Sequence, residues 1–304
     1  MKNIVIKILM MLLVVIGLVL LFYSTDDFDD LEEPEEATRT EVQHVNPELT
    51  EGAGQYIGKS IDDWTADFGY PERIYAGDNK YEHYIYQANT AYYDVRVRDD
   101  KIGMIYAAGI DADISPFKVN QRAAEIYQGT FIDTEPVIKT EDGEYSFELT
   151  EVDMKTQPLI KYGKVFAQVY VDQQTDKVMG VRYMTAPLLV QMLPYTAHLN
   201  GKPLERTMNR EQSILTQLNE RETLAEIINM IRASSDIHQL ELYQPVTKEL
   251  CQRNTPGVSK SKAYDSGEAV NMWLNTERQL ILNNRFSRVQ AEASDCYAAR
   301  YLNK

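Results

Sequence analysis

Residues 56–74, YIGKSIDDWTADFGYPERI, open the folded part of this 304-residue chain and predict its first helix. Ser60, followed three residues later by Asp63, is the capping-box pattern that starts a helix. Apolar residues then recur at helical spacing along one face: Ile61, Trp64 and Phe68. Because Gly69 and Pro71 are of the residue types that end helices, the stretch predicts one short amphipathic helix.

Short runs rich in Tyr, Ile and Val follow this helix and predict an antiparallel meander: KYEHYIY, AYYDVRV and KIGMIYAA. The same order then returns, with a second short helix in PFKVNQRAAEIYQG and four strand-like segments, DTEPVIKT, GEYSFELT, KVFAQVYVD and DKVMGVRYM. A helix followed by antiparallel strands is an α+β arrangement in which the helix covers one face of the sheet. Residues 51–187 therefore predict a duplicated module of two helix-plus-meander units.

The second face of such a sheet is expected to meet water. Tyrosines on the predicted strands would then be exposed, and we predict that four of them bind a partner: Tyr84, Tyr86, Tyr92 and Tyr106. The alternative is that strand alternation directs half of these side chains into the core.

An apolar run near the start of the chain, IVIKILMMLLVVIGLVLLF, occupies residues 4–22 and has the length of a membrane-spanning helix. Lys2 precedes the run and acidic residues follow it, so the positive-inside rule places the N-terminus in the cytoplasm. We expect residues 1–23 to be an uncleaved signal anchor, with the other domains outside the cytoplasm of a single-pass cell-membrane protein. A cleaved signal peptide is the alternative, but residues 21–25, LFYST, place aromatic side chains where cleavage needs small ones.

Residues 24–50 are acidic and contain few apolar side chains, with eight acids between Asp26 and Glu36. Such a segment repels itself and cannot bury enough apolar surface to fold, so we expect a disordered linker. A calcium-binding loop is the functional alternative, but the segment lacks the glycine and the ligand spacing of such a loop.

The composition excludes some classes of partner. A net charge of −15 argues against binding to nucleic acid or to an anionic lipid surface. The four histidines are scattered without metal-ligand spacing, and no cofactor motif is present in the sequence. Cys251 and Cys296 can form one disulfide or remain two buried thiols, and the sequence leaves both open.

The second half of the chain has a different periodicity. Residues 188–208 contain prolines and a glycine and predict a connector, and residues 209–304 predict a second domain. Its first helix is expected over 209–233, with an apolar stripe toward the core: Ile214, Leu215, Leu218, Leu224, Ile227, Ile228 and Ile231. Ser266 is expected to cap a later helix, and RVQAEASDCYAARY is expected to form terminal strands.

Several of these stretches resemble known families. YIGKSIDDWTADFGYPERI, the tyrosine-rich strands, DKVMGVRYM and MLPYTAHLNG resemble the CAP-associated N-terminal module of secreted or membrane-tethered bacterial proteins. The later stretches INMIR, EAVNMWLNTERQLIL and NNRFSRVQAEASDCYAARY resemble a CAP (cysteine-rich secretory protein, antigen 5, pathogenesis-related) domain. The resemblance implies a small α/β/α CAP-like domain in which Asn229, Arg232, Trp273 and Leu274 are packing residues.

The chain departs from the family where a metal site would lie. CAP domains with the metal-site tetrad carry two histidines and two acids, but the Gly-His pair expected between Glu277 and Arg278 is missing. No histidine follows His238, and the middle loops are short, so we expect a degenerate, shortened domain without a zinc site. Ser259 and Lys262 match the bare spacing of a serine/lysine acyl enzyme, but they lie in a polar segment without its companion motifs.

These observations predict a non-catalytic, membrane-anchored extracytoplasmic binding or scaffold protein of the cell envelope. Its expected partner is an envelope polymer or a membrane protein. The alternative is a cell-envelope enzyme with its active site in the N-terminal module.

Overall fold

The computed structural model describes residues 10–16, 18, 45–77, 80–88, 90–206, 213–243, 249–252 and 256–303. The chain divides into two compact units, residues 1–44 and 45–304. Most of the predicted anchor and of the acidic linker, including residues 1–9 and 19–44, lies outside the described residues. Residues 10–16 are helical, and among the described residues no helix has both the length and the apolar character to span a membrane.

The N-terminal module of the second unit consists of short helices and eleven described strands. In chain order these are a 3-10 helix (Ala53–Tyr56), α1 (Ile61–Phe68), β1 (Arg73–Ala76), β2 (Glu82–Ala88), β3 (Ala91–Arg98), β4 (Lys101–Ala108), α2 (Ala123–Gly129), β5 (Val137–Thr140), β6 (Gly143–Glu148), α3 (Glu151–Thr156), β7 (Leu159–Tyr162), β8 (Val165–Asp172), β9 (Lys177–Thr185), α4 (Ala186–Met192), β10 (Thr196–Leu199) and β11 (Lys202–Leu204).

The two predicted meanders form one continuous sheet. Its order is β1-β2-β3-β4-β9-β8-β7, and the two halves join where β4 pairs antiparallel with β9, Ile105 lying opposite Tyr183. The prediction of two helix-plus-meander units is therefore wrong in one respect, because strands of both units lie in the same sheet. The β5–β6 hairpin leaves the large sheet and pairs with β10 and β11 in a second sheet of order β11-β10-β6-β5.

Two predicted boundaries also change. The connector predicted over 188–208 largely belongs to the N-terminal module, because α4 packs on the sheet and β10 pairs with β6. The linker was predicted to end at residue 50, but the folded unit begins at Val45 and Asn46 is already buried. Its side-chain amide donates to the carbonyls of Phe131 and Lys161, and its side-chain oxygen accepts from the Phe131 N–H.

The first helix forms as its sequence predicts. The Ser60 side chain accepts a hydrogen bond from the backbone of the first turn. The Asp63 carboxylate in turn accepts from the Ser60 N–H, which completes the capping box. Trp64 is fully buried, stacks on Phe68 at 3.8 Å and meets Tyr93 of β3 edge-on at 5.3 Å. This aromatic contact attaches α1 to one face of the large sheet.

The C-terminal domain follows the connection after β11. Its elements are α5 (Ile214–Ala233), β12 (Glu241–Leu242), α6 (Glu249–Gln252), β13 (Val258–Ser261), α7 (Ser266–Thr276), α8 (Arg278–Ile281), β14 (Arg288–Ala293) and β15 (Tyr297–Leu302). The last four strands form a sheet of order β12-β14-β15-β13, in which β12 pairs parallel with β14. The terminal strands are thus confirmed.

Two details of the predicted helices are wrong. The apolar stripe of α5 enters the core only from Leu224 onward, because Ile214 and Leu215 are 70% and 68% exposed and Leu218 is 38% exposed. The cap of α7 is Asp265 instead of Ser266, since the Asp265 side chain accepts from the N–H of Glu268. Aspartate and serine are similarly good caps, so the sequence alone does not separate them.

The large sheet is covered on both faces. One face packs against the 3-10 helix, α1 and α2 around residues such as Trp64, Ile105 and Val181. The opposite face packs against the C-terminal domain around Tyr106 and Trp273, among others. The face expected to meet water is therefore the docking face of the second domain.

Cys251 of α6 and Cys296, which precedes β15, form a disulfide with a Cα–Cα distance of 5.8 Å. The bridge closes a sequence separation of 45 residues and ties a short helix to the terminal strands. The buried carboxylate of Glu292 reinforces the same corner by accepting from the N–H groups of Leu250 and Cys251.

Replacing both cysteines with serine should lower the free energy of unfolding by about 2–4 kcal/mol, because the unfolded chain regains the freedom that the cross-link removes. Urea unfolding of the full-length chain measures this difference. Wild-type protein treated with a reductant is the matched control and should show the same loss. An unchanged midpoint in both samples would contradict the prediction.

Candidate functional site

The four tyrosines predicted to bind a partner do not form an exposed surface. Tyr92 and Tyr106 are 0% and 4% exposed and face the C-terminal domain, whereas Tyr86 is buried in the core beneath α1. Tyr84 alone of the four is partly exposed. A Cβ at Gly267 of α7 would lie 2.7 Å from the Tyr106 ring, so glycine permits the close approach of α7 to this face.

The docking face of the sheet also carries charged side chains that are almost completely buried. Strand alternation directs His83 of β2, Asp94 and Arg96 of β3 and Arg182 of β9 toward the C-terminal domain. Their exposed fractions are between 0% and 5%. We call these four residues, together with Glu220 of α5 and Asp265, the charge junction.

Asp265 pairs with both arginines of the junction. Its carboxylate accepts from Arg96 at 2.7 Å and from Arg182, while also capping α7. Burial by itself would raise the pKa of Asp265, but the two guanidinium groups and the capping N–H lower it well below its ordinary value. The first turn of α7 is thereby attached to strands β3 and β9.

His83 lies between carboxylates from both modules. Its Nδ1 is 2.9 Å from Asp94, and its Nε2 is 3.8 Å from Glu220 of α5. Tyr297 and Tyr75 donate their hydroxyls to Glu220 at 2.9 and 3.2 Å. Burial would raise the pKa of Asp94, but the neighbouring His83 and Arg96 side chains lower it below its ordinary value.

Further ion pairs join the two modules around the junction. Arg73 of β1 forms a bidentate pair with Glu226 of α5, at 2.8 and 2.9 Å. A second bidentate pair links Arg206 to Glu268 of α7, with N–O distances of 2.7 and 2.9 Å. A third pair links Arg278 of α8 to Asp172 of β8, with an N–O distance of 3.0 Å. Bidentate guanidinium–carboxylate pairs fix orientation as well as distance, so they set the angle at which the domain docks.

The space left among the junction residues is small. Around His83, Arg96, Glu220 and Asp265, about 10 Å³ is open to the centre of a water molecule, which is room for a single water. The side chains of Tyr81, Leu188, Tyr264 and Tyr297 line the rest of this space. The junction can therefore hold two modules together, but it does not have the volume to accommodate a substrate.

A family model and a solved structure are similar to this chain. Residues 57–195 match the CAP-associated N-terminal family model. A solved cysteine-rich secretory protein of Staphylococcus aureus is 28% identical, with 86% of this chain and 95% of that chain covered and a TM-score of 0.75. Over most of its length the chain is thus similar to a CAP-associated N-terminal module followed by a CAP-like domain.

Two further proteins are similar over nearly the same length. An extracellular protein of Bacillus anthracis containing an SCP domain has the same fold, with a TM-score of 0.73 at 22% identity, covering 86% of this chain and 99% of that one. The uncharacterized membrane protein YlbC of Bacillus subtilis is 26% identical, with 95% of each chain covered. The chain thus has a relative that is called a membrane protein and that it matches over nearly the full length of both.

The residues retained from the CAP motif pack within the domain. Asn229 donates to the carbonyl of Leu240 and accepts from its N–H. Arg232 is fully buried and donates to the carbonyls of residues 238, 281 and 283. Both side chains therefore fix the segments that follow α5 and α8, which is a structural role.

The CAP-like domain does not supply the donors of the family's metal site. His238 is its one histidine, and its Nε2 lies 2.7 Å from the carbonyl of Phe286. Over the residues that the structure describes, no group of three or more His, Cys, Asp or Glu side chains is placed to hold a metal ion. Ser259, which lies on β13, donates its hydroxyl to the carboxylate of Glu277.

Calorimetric titration of the full-length chain with Zn²⁺ should give no stoichiometric submicromolar site, because the imidazole donors of the CAP tetrad are missing from the sequence. The His238→Ala variant is the matched control and should give the same titration curve. A tight site that disappears on substitution of residues between Asn229 and Tyr301 would contradict the prediction.

The sequence reasoning missed the charge junction. The signal for it was present: His83, Asp94, Arg96 and Arg182 stand at alternate positions among aromatic and β-branched residues of predicted strands. Charged residues are rarely buried unless they are paired. Their positions therefore indicated that this face of the strands was either exposed to water or paired with opposite charges across an interface. The partners, Glu220 and Asp265, lie far away in the sequence and could not be assigned without the fold.

Proposed function

We propose that this chain is a non-catalytic, membrane-anchored extracytoplasmic protein of the cell envelope that acts by binding or as a scaffold. The observation that carries the proposal is the charge junction. Arg96 and Arg182 of the first module pair with Asp265 of the second, and the space among the junction residues takes about one water molecule. This cluster of buried ionisable groups thus holds the two modules together.

The envelope location is supported by three independent features. The sequence has an apolar run preceded by a lysine and followed by acidic residues. A relative of nearly equal coverage is called a membrane protein. The Cys251–Cys296 disulfide fits a compartment that is not kept reducing, because cytosolic thiols are normally held reduced. Membrane fractions of the host should accordingly contain the chain at full length.

The binding role can be tested by crosslinking in intact cells with the tagged full-length chain, followed by mass spectrometry of the adducts. A fusion of residues 1–44 to an unrelated globular domain is the matched control, since it keeps the anchor and the linker. We expect adducts to a small set of envelope components that saturate with expression and that the fusion does not form. Equal adducts from both proteins would contradict a binding role of the folded unit.

The same cells test whether catalysis is involved. If the chain is a scaffold, removing it should leave the covalent chemistry of purified envelope polymers unchanged. A polymer modification that requires the chain, accumulates in many copies per molecule of chain and is lost in the Asp94→Asn variant would indicate an enzyme instead.

A further inference from the structure

We propose that β1 is a docking edge for another polypeptide, and that the partner is an extended basic segment which adds to the large sheet as a further strand. Addition of a strand to an open sheet edge is a recurring way in which proteins bind peptides. The inference rests on the proposed binding function and deepens it, because it names the surface and the kind of partner.

The edge strands of the three sheets differ in how they are protected. Natural proteins place lysine or proline on edge strands, or cover them, because an open edge pairs with other chains. Among the described strands, four of the six that end a sheet contain a lysine: Lys139 of β5, Lys161 of β7, Lys202 of β11 and Lys260 of β13. A fifth, β12, is only two residues long. β1 differs from these, because its sequence, RIYA, contains neither lysine nor proline.

The one basic residue of β1 does not protect the edge. Arg73 donates to both carboxylate oxygens of Glu226 and to the Thr223 hydroxyl, and its guanidinium lies 3.3 Å from Glu222. Bidentate pairing fixes the guanidinium in orientation as well as in distance. The charge of Arg73 is therefore held against α5, and it does not repel a basic strand that approaches the edge.

The backbone of β1 presents hydrogen-bonding groups on the side away from β2. The Gly77 N–H donates to the Tyr81 carbonyl, which sets the phase of the β1–β2 ladder. Because hydrogen-bonded pairs recur at every second residue of an antiparallel ladder, the N–H and C=O of Ile74 point away from β2. The next outward carbonyl, that of Ala76, accepts from the Thr216 hydroxyl of α5. Within the part of the chain that the structure describes, the edge is thus closed by α5 at Ala76 and open at Ile74.

Ile74 gives the open edge an apolar contact surface. Its side chain is 51% exposed and lies opposite Tyr84 of β2, on the same face of the sheet. Tyr84 is itself partly exposed, and of the four tyrosines predicted to bind a partner it alone lies beside this edge. A side chain of an added strand placed opposite Ile74 would become its cross-strand neighbour and cover it.

The charges beside the open edge favour a basic partner. The exposed acids Glu72 and Glu82 directly precede β1 and begin β2, and Glu222 of α5 has a half-exposed side chain beside the same strand. Lys80, between β1 and β2, lies at the end that α5 closes. A second copy of this chain has a net charge of −15 and would bring its own acids to the edge, which is unfavourable. The partner is therefore a basic segment of another polypeptide.

Peptide titration of the detergent-solubilised full-length chain tests this edge. The probe is a blocked seven-residue peptide in which lysine and valine alternate, and the control peptide has glutamate in place of lysine. We expect saturable binding of the lysine peptide alone. At a concentration about ten times its Kd, it should slow hydrogen exchange of the Ile74 amide about ten-fold, since that N–H exchanges only while the peptide is absent.

Two variants assign the binding to β1. Ile74→Lys gives this edge the lysine that other edge strands carry, and it should weaken binding of the lysine peptide about ten-fold through like-charge repulsion and loss of the apolar contact. Val137→Lys, at a 46% exposed valine of edge strand β5, is the matched control and should bind as the wild type does. The acidic residues 24–50 are present in both variants, so any attachment of the peptide to them is common to both.

Three results would overturn the proposal: no saturable binding of the lysine peptide, binding that leaves exchange of the Ile74 amide unchanged, or self-association of the chain that Ile74→Lys abolishes. The exchange measurement uses the wild type, so it decides the question even if Ile74→Lys fails to fold. In the crosslinking experiment on intact cells, adducts formed equally by the wild type and Ile74→Lys would retain the binding function and reject β1 as its site.

Discussion

The Asp265→Ala variant should lose about 3–5 kcal/mol of unfolding free energy, because Arg96 and Arg182 then remain buried without their shared carboxylate. Loss of the α7 cap adds about 1 kcal/mol. Because the pKa of Asp265 is lowered in the folded protein, its charge contributes stability above its ordinary pKa, and this contribution is lost as the pH falls. Urea unfolding of the full-length chain near neutral pH measures the loss.

Two controls separate charge from capping. Asp265→Asn keeps an acceptor for the α7 cap but removes the charge, so it should retain most of the loss seen with alanine. Asp63→Asn, in the exposed capping box of α1, should change the unfolding free energy by less than about 1 kcal/mol. A loss below about 1 kcal/mol for Asp265→Ala would mean that the junction does not hold the domain.

The Trp273→Ala variant should cost about 3–5 kcal/mol, because the indole is 1% exposed and fills the core between α7 and the sheet. Its neighbour Met272 is 44% exposed, so Met272→Ala is a matched control on the same helix and should stay within about 0.5 kcal/mol. Equal unfolding midpoints for the two variants would contradict the assignment of Trp273 to the docking core.

Local features of the fold were predictable from the sequence. The α1 capping box depends on residues three apart, and each meander depends on apolar runs separated by short turns. The resemblance to the CAP-associated module and to a CAP domain is likewise confirmed by the comparisons. These predictions succeed because the interactions behind them lie within a few residues along the chain.

The features that the sequence did not reveal depend on distant contacts. The pairing of β4 with β9 joins strands separated by two helices, a hairpin and two further strands, and β10 pairs with β6. The Arg182–Asp265 pair spans 83 residues, and the disulfide spans 45. Tyr92 and Tyr106 were predicted to be exposed because alternation shows which residues share a face but not what covers that face.

Equilibrium unfolding of the full-length chain, followed separately at its two tryptophans, tests whether the charge junction joins the two modules. Trp64 lies beneath α1 in the CAP-associated module and Trp273 lies in the CAP-like domain, so replacing one with phenylalanine leaves a probe of the other. If the charge junction joins the modules into one folded unit, both probes should report the same midpoint, and Asp265→Asn should lower both equally. A Trp64 midpoint that stays at its wild-type value while the Trp273 midpoint falls would show that the two modules unfold independently.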